Sequence, residues 1–144
     1  MTAREHTNTL LKALSDHMAT PALHLGMEGA VSAEILGSLF TFNFSEETEE
    51  LVSCACIGAL PADAKREEIL CDFMQGNYAW AGTGGGILGL DAESGLLCLS
   101  RRFSPDREVA QGFIEKIAQQ AGLAQYWQSR LAPKETISAA AVWV

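Results

Sequence analysis

The chain has 144 residues, of which 48% are hydrophobic and 19% are charged, and a formal net charge of -8. This balance is typical of one folded domain and excludes a disordered chain or a coiled coil. No apolar run approaches the ~18 residues that cross a bilayer, and the first residues lack the apolar core of a signal peptide. We therefore expect a cytoplasmic protein that does not insert into a membrane.

The charges are unevenly distributed along the chain. No Lys or Arg lies between Lys12 and Lys65, an interval that contains eight acidic residues. Because a phosphate backbone is bound by clustered cations, this distribution argues against a nucleic-acid partner. An acidic face favours a neutral or basic partner, and it also helps to keep apolar surface in solution.

The N-terminal part predicts a helix followed by a short strand. Leucines repeat on one helical face over residues 7–18, and Pro21 ends this helix. Apolar residues alternate with His24 and Gly26 over 23–27, which predicts a half-buried strand. Glu28-Gly29 then supplies a turn.

Two further strands are predicted before the next helix. The first lies within 31–44, where Phe40, Phe42 and Phe44 share one face and Leu39 lies on the other. The second covers 51–57 and is apolar on both faces, which favours a central position in the sheet.

The second half predicts helix, hairpin and helix. Pro61 opens an amphipathic helix that continues to Asn77. Glycines 84–86 then lead into a hairpin with arms at 87–90 and 96–101. Ser104 and Pro105 open the last helix, which runs to Leu131. The predicted order is α-β-β-β-α-β-β-α, an antiparallel sheet packed with helices and thus α+β. We expect a domain over 1–132 and a C-terminal tail over 133–144.

No set of residues predicts catalysis or cofactor binding. Gly84-x-Gly86-x-x-Gly89 matches a dinucleotide fingerprint, but that motif needs a strand before it and a helix after it, and here the order is reversed. Ser15-Asp16-His17 has the residue types of a triad, yet neighbours on a helix point in different directions. We expect no enzymatic activity and no cofactor.

The histidines and cysteines do not predict a metal site. His6 and His17 would lie roughly 16 Å apart along the first helix, too far to share an ion. The four cysteines, at positions 54, 56, 71 and 98, have no Cys-x-x-Cys spacing. Because reduced cysteine is usually buried as a small hydrophobe, we expect them to fill the core in a reducing compartment.

Several short motifs, in order, resemble the Tir-chaperone-like family of small type III secretion chaperones. The resemblance runs from about Leu10 to Leu131 and rests on the leading Leu-rich helix and on five further features of the sequence. They are Leu23-x-Leu25-x-x-Glu28-Gly29, Gly58-x-Leu60-Pro61, Phe73-Met74-x-x-Asn77, Gly86-x-Leu88-x-Leu90-Asp91 and Trp127. Two features depart from the family pattern: a longer second strand within 30–44 and the apolar tail.

The resemblance implies a cytoplasmic homodimer that binds the non-globular N-terminal region of an effector without ATP and keeps it secretion-competent. It places the second helix at the dimer interface. The residues predicted to dimerise are Ile69, Leu70, Phe73, Met74 and Asn77. The partner would be held by apolar residues of the first helix and early strands, and by strand addition to a sheet edge. The candidates are Leu10, Leu14, Leu23, Leu25, Leu39, Phe40 and Phe42.

Two alternatives fit the same sequence. One is a regulator of the same fold that sequesters another protein of the secretion system. The other is a small-molecule carrier with a pocket between helix and sheet. A chaperone or regulator should form a stable dimer and protect a partner segment, whereas a carrier should bind a metabolite as purified.

Overall fold

The computed structural model describes residues 1–131 as one sheet with helices packed on one of its faces. The elements are α1 (Ala3–Met18), β1 (Ala30–Ile35), β2 (Ser38–Ser45), β3 (Glu50–Ala59), α2 (Lys65–Asn77), β4 (Ile87–Leu90), β5 (Leu96–Phe103) and α3 (Ala110–Leu131). Short 3-10 turns follow α2 at Tyr78–Trp80 and precede α3 at Pro105–Arg107. The predicted α+β class and element order are confirmed. The tail predicted over 133–144 and the domain boundary at 132 lie outside the described residues.

The five strands form an antiparallel sheet in the order β1-β2-β3-β5-β4. β3 is central, as its apolar sequence predicted. Its alternating burial shows that only one face is fully covered. α3 lies across β3 and packs against α1, whereas α2 packs against β4. None of the helices within 1–131 is both long and apolar enough to span a membrane.

The strand predicted over 23–27 is wrong. This segment runs back along α1, and its backbone is bonded to helix side chains in place of a strand ladder. The Leu25 amide donates to Asn8 Oδ1 at 2.9 Å, and the Leu23 amide donates to Ser15 Oγ at 3.4 Å. The alternating apolar residues therefore belong to a segment that is not a strand, and its Leu23 and Leu25 side chains are buried in the core.

The single strand predicted within 31–44 is a hairpin. Leu36 and Gly37, with φ of 50° and 84°, form the two-residue turn between β1 and β2. Two positive φ values are the geometry that joins twisted antiparallel strands most closely. The hairpin supplies the strand that 23–27 does not, which is why the predicted element order still holds.

The last helix begins later than predicted. Pro105 starts only a 3-10 turn, and α3 begins at Ala110. The side chains that α3 turns inward include Phe113, Ile117, Ala121 and Ala124, all fully buried against the Phe-rich face of β2 and its neighbours. Burial of this kind contributes ~1.5–3 kcal/mol for each large side chain.

Candidate partner-binding and dimerisation surfaces

Most of the residues predicted to bind a partner lie in the hydrophobic core. Six of the seven are at most 5% exposed: Leu10, Leu14, Leu23, Leu25, Phe40 and Phe42. The seventh, Leu39, is 54% exposed. This corrects the predicted contact set, because a side chain buried so deeply cannot touch a partner unless the core opens.

Strand alternation explains the difference between Leu39 and its neighbours. Phe40 and Phe42 point towards the helices, and their rings stack with centroids 5.8 Å apart. Leu39 points to the opposite face of the sheet. Periodicity separated the two faces, but it could not tell which of them the helices cover.

The residues predicted to dimerise divide between the two sides of α2. Ile69 and Phe73 are 6% and 5% exposed, and the Phe73 ring packs edge-on against Trp127 at 4.9 Å between centroids. Leu70 is half-buried, whereas Met74 is 75% exposed. Ile69 and Phe73 therefore belong to the protomer core, and Leu70 and Met74 remain available to a second copy.

Asn77 has a role within the chain. Its Nδ2 donates to the Leu88 carbonyl at 2.9 Å, and its Oδ1 accepts from the Leu88 amide at 2.8 Å. This pair of bonds mimics a strand neighbour and fixes the end of α2 against β4. Asn77 thus positions the surface that surrounds it.

An exposed apolar surface lies where α2, the following turn and β4 meet. We call it the α2–β4 surface and define it by Met74, Tyr78, Trp80 and Leu90, which are 75%, 81%, 63% and 44% exposed. Ala79 and Trp80 both have positive φ, 51° and 58°. For residues other than glycine this conformation costs ~1–2 kcal/mol each. The chain is thus held in an unfavourable turn that presents Trp80 to solvent.

A cavity of about 500 Å³ opens between α2 and α3 beside this surface. Trp127 forms its floor and donates from Nε1 to the Gly82 carbonyl at 2.9 Å. Asp72 and Arg130 pair across the rim at 2.6 Å, and this hydrogen bond raises the pKa of Arg130. Because the pair is exposed, it contributes little to stability. Its lining mixes the apolar and aromatic side chains of Leu123, Tyr126 and Trp127 with the polar ones of Asp72, Gln75 and Arg130.

The second face of the sheet carries no helix in the described residues. Its charged side chains are Glu34, Glu50 and Arg102, and its uncharged ones include Thr41, Asn43, Val52, Cys54, Cys56, Leu96, Cys98 and Ser100. Leu39 and Ile87, 54% and 57% exposed, lie on the same face. We call it the open face. A groove of about 270 Å³ runs over it.

The cysteines do not fill the core, and the prediction that they do is wrong. Cys71 is exposed on α2, whereas Cys54, Cys56 and Cys98 are half-buried on the open face. Their positions in β3 and β5 alternate with the buried ones, so they point away from the helices. Within 1–131 no three His, Cys, Asp or Glu side chains are grouped to hold a metal ion.

β1 leaves one edge of the sheet unpaired in the described chain. Its only strand neighbour is β2, and the carbonyl of its first residue, Ala30, accepts a hydrogen bond from the Gly26 amide at 2.9 Å. Leu36, 53% exposed, lies in the turn of the hairpin at the end of this edge, and Leu39 lies near the start of β2. An extended peptide can add to such an edge through backbone bonds and place alternate side chains on apolar neighbours.

The sequence comparisons assign the family. The chain belongs to the Tir chaperone protein (CesT) family, whose model matches residues 9–128. It is also 31% identical over 123 residues to a Chlamydia pneumoniae protein, CPj0713/CpB0740, and that match covers 85% of this chain and 93% of the relative. The family resemblance predicted from the sequence is confirmed.

Solved structures share the fold. The ExsC–ExsE complex matches with a TM-score of 0.76 and 22% identity, covering 92% of this chain and 98% of the other. The HopA1–SchA chaperone–effector complex has a TM-score of 0.68 and 17% identity, covering 88% and 95%. The Yersinia pestis type III secretion chaperone SycH, in complex with a fragment of YscM2, has a TM-score of 0.62 and 15% identity, covering 83% and 98%. The α+β fold is therefore that of type III secretion chaperones.

Proposed function

We propose that this protein is a type III secretion chaperone that binds the non-globular N-terminal region of an effector and keeps it secretion-competent without ATP. Family membership supports the general role, as does the chaperone–effector complex among the structural neighbours. Such a role needs binding surface and no catalytic group. We place the protein in the cytoplasm, where an effector is held before export.

The observation that carries the proposal is the open face of the sheet, which no helix covers within residues 1–131. The open face has few charged side chains, Glu34, Glu50 and Arg102, and it adjoins the β1 edge near Leu36 and Leu39. A monomeric domain rarely leaves such a surface without a partner. We propose that the effector segment adds to β1 and places apolar side chains against Leu39 and the neighbouring groove.

We also propose a homodimer that forms through the α2–β4 surface. Met74, Tyr78, Trp80 and Leu90 are large, apolar and exposed, and Trp80 is presented by a strained turn. A two-fold symmetric contact would place these four residues of one protomer against the same four residues of the other, as a self-complementary interface requires. Burial of this surface would contribute much of the ~1,200–2,000 Å² that a specific interface needs.

The test is protection of a partner segment. The protein should be co-expressed with the N-terminal region of a secreted protein encoded by a neighbouring gene, and the complex treated with protease. We expect the wild type to protect an extended segment, and Leu39→Asp to abolish protection, because an unpaired carboxylate would be buried in the contact. Val109→Asp is the control, since Val109 is 71% exposed but lies just before α3.

Ionic strength separates this mode of binding from the alternatives. Apolar anchors should hold the segment in about 0.5 M salt, where exposed charges are strongly screened. A complex that dissociates in high salt and tolerates Leu39→Asp would be held by charge, and the proposal would fail. A folded partner protected as a whole would favour the regulator, and a copurified metabolite in the α2–α3 cavity would favour the carrier.

A further inference from the structure

The last turns of α3 lie directly behind the groove of the open face. Gln128 Nε2 donates to the Cys56 carbonyl at 3.0 Å, and Cys56 also lines the groove on the other side of the sheet. Leu131 reaches the end of the same strand, since a Cβ added at Gly58 would lie 3.0 Å from Leu131 Cδ1. β3 ends at the next residue, Ala59. The chain after Leu131 therefore starts at the end of β3, where it can pass from the helical face to the open face.

The residues that follow Leu131 are long enough for this crossing. Residues 132–138 span at most ~23–25 Å when extended. Packed layers lie ~10 Å apart, so a path from a layer on one side of the sheet to a layer on the other side covers ~20 Å. Residues 139–144 can then reach the groove.

Residues 139–144 also match the groove in chemistry. Their sequence is Ala-Ala-Ala-Val-Trp-Val, which has no charged side chain. The groove is lined by Leu39, Leu96 and half-buried cysteines, and among the described residues that line it only Asp91 is charged. Valine and tryptophan favour an extended backbone, which suits a groove that runs over a sheet.

The covalent link favours this segment over a separate molecule. A segment joined to its binding site by a short flexible connector has an effective concentration in the millimolar range, and this concentration is highest when the connector matches the distance to be spanned. Residues 132–138 meet that condition. A separate peptide with the same apolar side chains would have to be present at such a concentration to occupy the groove equally.

We propose that residues 139–144 bind the groove of the open face in the same molecule, with Trp143 as the anchor against Leu39 and Leu96. Trp143 is the largest apolar side chain of the segment, and a buried aromatic side chain removes ~150–250 Å² from water. The contact goes beyond the proposed function, because it needs no effector. If an effector segment uses the same face, it has to displace residues 139–144, and this consequence alone rests on the proposed function.

The test measures how fast iodoacetamide alkylates each cysteine of the full chain, with digestion and mass spectrometry as the readout. Cys54, Cys56 and Cys98 line the groove, whereas Cys71 is exposed on α2 and serves as the internal reference. We expect Trp143→Asp to raise the rates at the three groove cysteines about tenfold, which corresponds to ~1.4 kcal/mol of docking free energy. The rate at Cys71 should not change.

Two further variants show which residues make the contact. Thr136→Asp adds the same charge within the connector, so it is the matched control and should leave all four rates unchanged. Leu39→Asn changes the receiving side and should raise the groove rates as Trp143→Asp does. Combined with Trp143→Asp it should add little, because the two residues share one contact. Circular dichroism verifies that each variant folds.

A mixing experiment shows whether the contact lies within one molecule. Isotope-labelled wild type is mixed with unlabelled Trp143→Asp, and the two are distinguished by mass. We expect the labelled chains to stay protected and the unlabelled chains to stay reactive. Protection of the unlabelled chains would mean that the segment binds a second copy, and equal groove rates in wild type and Trp143→Asp would mean that it does not cover the groove. Either result overturns the proposal. No effector is present in these samples, so the proposed chaperone function stands or fails separately.

Discussion

Gln120 is the polar residue that fixes α3 to the sheet. It is 2% exposed, and its Oε1 accepts from Ser53 Oγ at 2.6 Å. Its Nε2 donates to the carbonyl groups of Leu99 at 2.8 Å and Ser53 at 3.2 Å. One side chain thus joins β3, β5 and α3, and it sets the position of the helix along the sheet in a way that apolar contacts alone do not.

Replacing Gln120 tests this network. We expect Gln120→Leu to lower the free energy of unfolding by ~1–3 kcal/mol, because the Ser53 hydroxyl would lose its acceptor at 2.6 Å and keep only the longer bond to the Arg101 carbonyl at 3.4 Å. Urea unfolding followed by circular dichroism measures the loss. In the Ser53→Ala background the same change should cost less, since the two residues share one bond. Equal costs in both backgrounds would show that the network has no coupling energy.

At the scale of single elements, two helical glycines have opposite roles. A Cβ at Gly76 in α2 would lie 2.6 Å from Trp127 Cζ2 and 3.0 Å from Leu88 Cδ1. A Cβ at Gly122 in α3 would meet nothing within 4 Å. Gly76 is therefore required where α2 passes over Trp127, whereas Gly122 only weakens its helix.

The matched pair Gly76→Ala and Gly122→Ala tests this difference. Gly76→Ala should destabilise the protein by ~1–3 kcal/mol through overpacking. Gly122→Ala should stabilise it by ~0.5–1 kcal/mol, because alanine loses less backbone entropy in a helix. Thermal unfolding of both variants gives the two signs. A stabilising Gly76→Ala would show that Trp127 can move aside at no cost.

The elements differ in how far the sequence could predict them. β3 and the β4–β5 hairpin follow from periodicity and turn residues such as the glycines at 84–86, and α2 ends at Asn77 as predicted but begins at Lys65, four residues after the predicted start at Pro61. The segment at 23–27 could not be assigned, since its backbone partners, Asn8 and Ser15, lie on a helix earlier in the chain. Gly37 was the local signal that divides 31–44 into two strands.

The candidate surfaces were less predictable than the fold. Apolar periodicity shows which residues share an apolar face of a helix or strand. Whether that face is buried or exposed depends on which other element packs on it, and the sequence does not show that. Phe73 and Met74 are neighbours in sequence, yet one packs on Trp127 and the other is 75% exposed. Likewise, the cysteines follow the alternation of β3 and β5 to the face that the helices leave uncovered.

For the whole molecule, the acidic character is partly neutralised at the surface. Glu46 pairs with Arg4 at 2.8 Å, and Glu50 pairs with Arg102 at 2.6 Å. These exposed pairs contribute little to stability. The two pairs reduce the negative electrostatic potential around the acidic residues. We therefore expect the remaining charge to affect the rate of association with a partner more than the affinity.

The proposed assembly is tested by Met74→Asp. Because Met74 is 75% exposed in the protomer, we expect this variant to remain folded but to sediment as a monomer at micromolar concentration, where the wild type is a dimer. Phe73→Asp should instead unfold the protomer, since its side chain is 5% exposed. Val109→Asp should remain dimeric. A wild-type monomer, or a dimeric Met74→Asp, would exclude the α2–β4 surface as the interface.

The packing of α1 against α3 has a consequence for synthesis of the chain. The leucines of α1 are among the first residues made, but α3, which helps to enclose them, spans Ala110–Leu131. At ~5–20 residues per second, the ribosome needs several seconds to complete the intervening chain. During that time segment 23–27 can pack on α1 and the β1–β2 hairpin can form from local contacts, whereas the part of α1 that packs against α3 stays uncovered. The nascent protein is thus itself an aggregation-prone species until its last helix emerges.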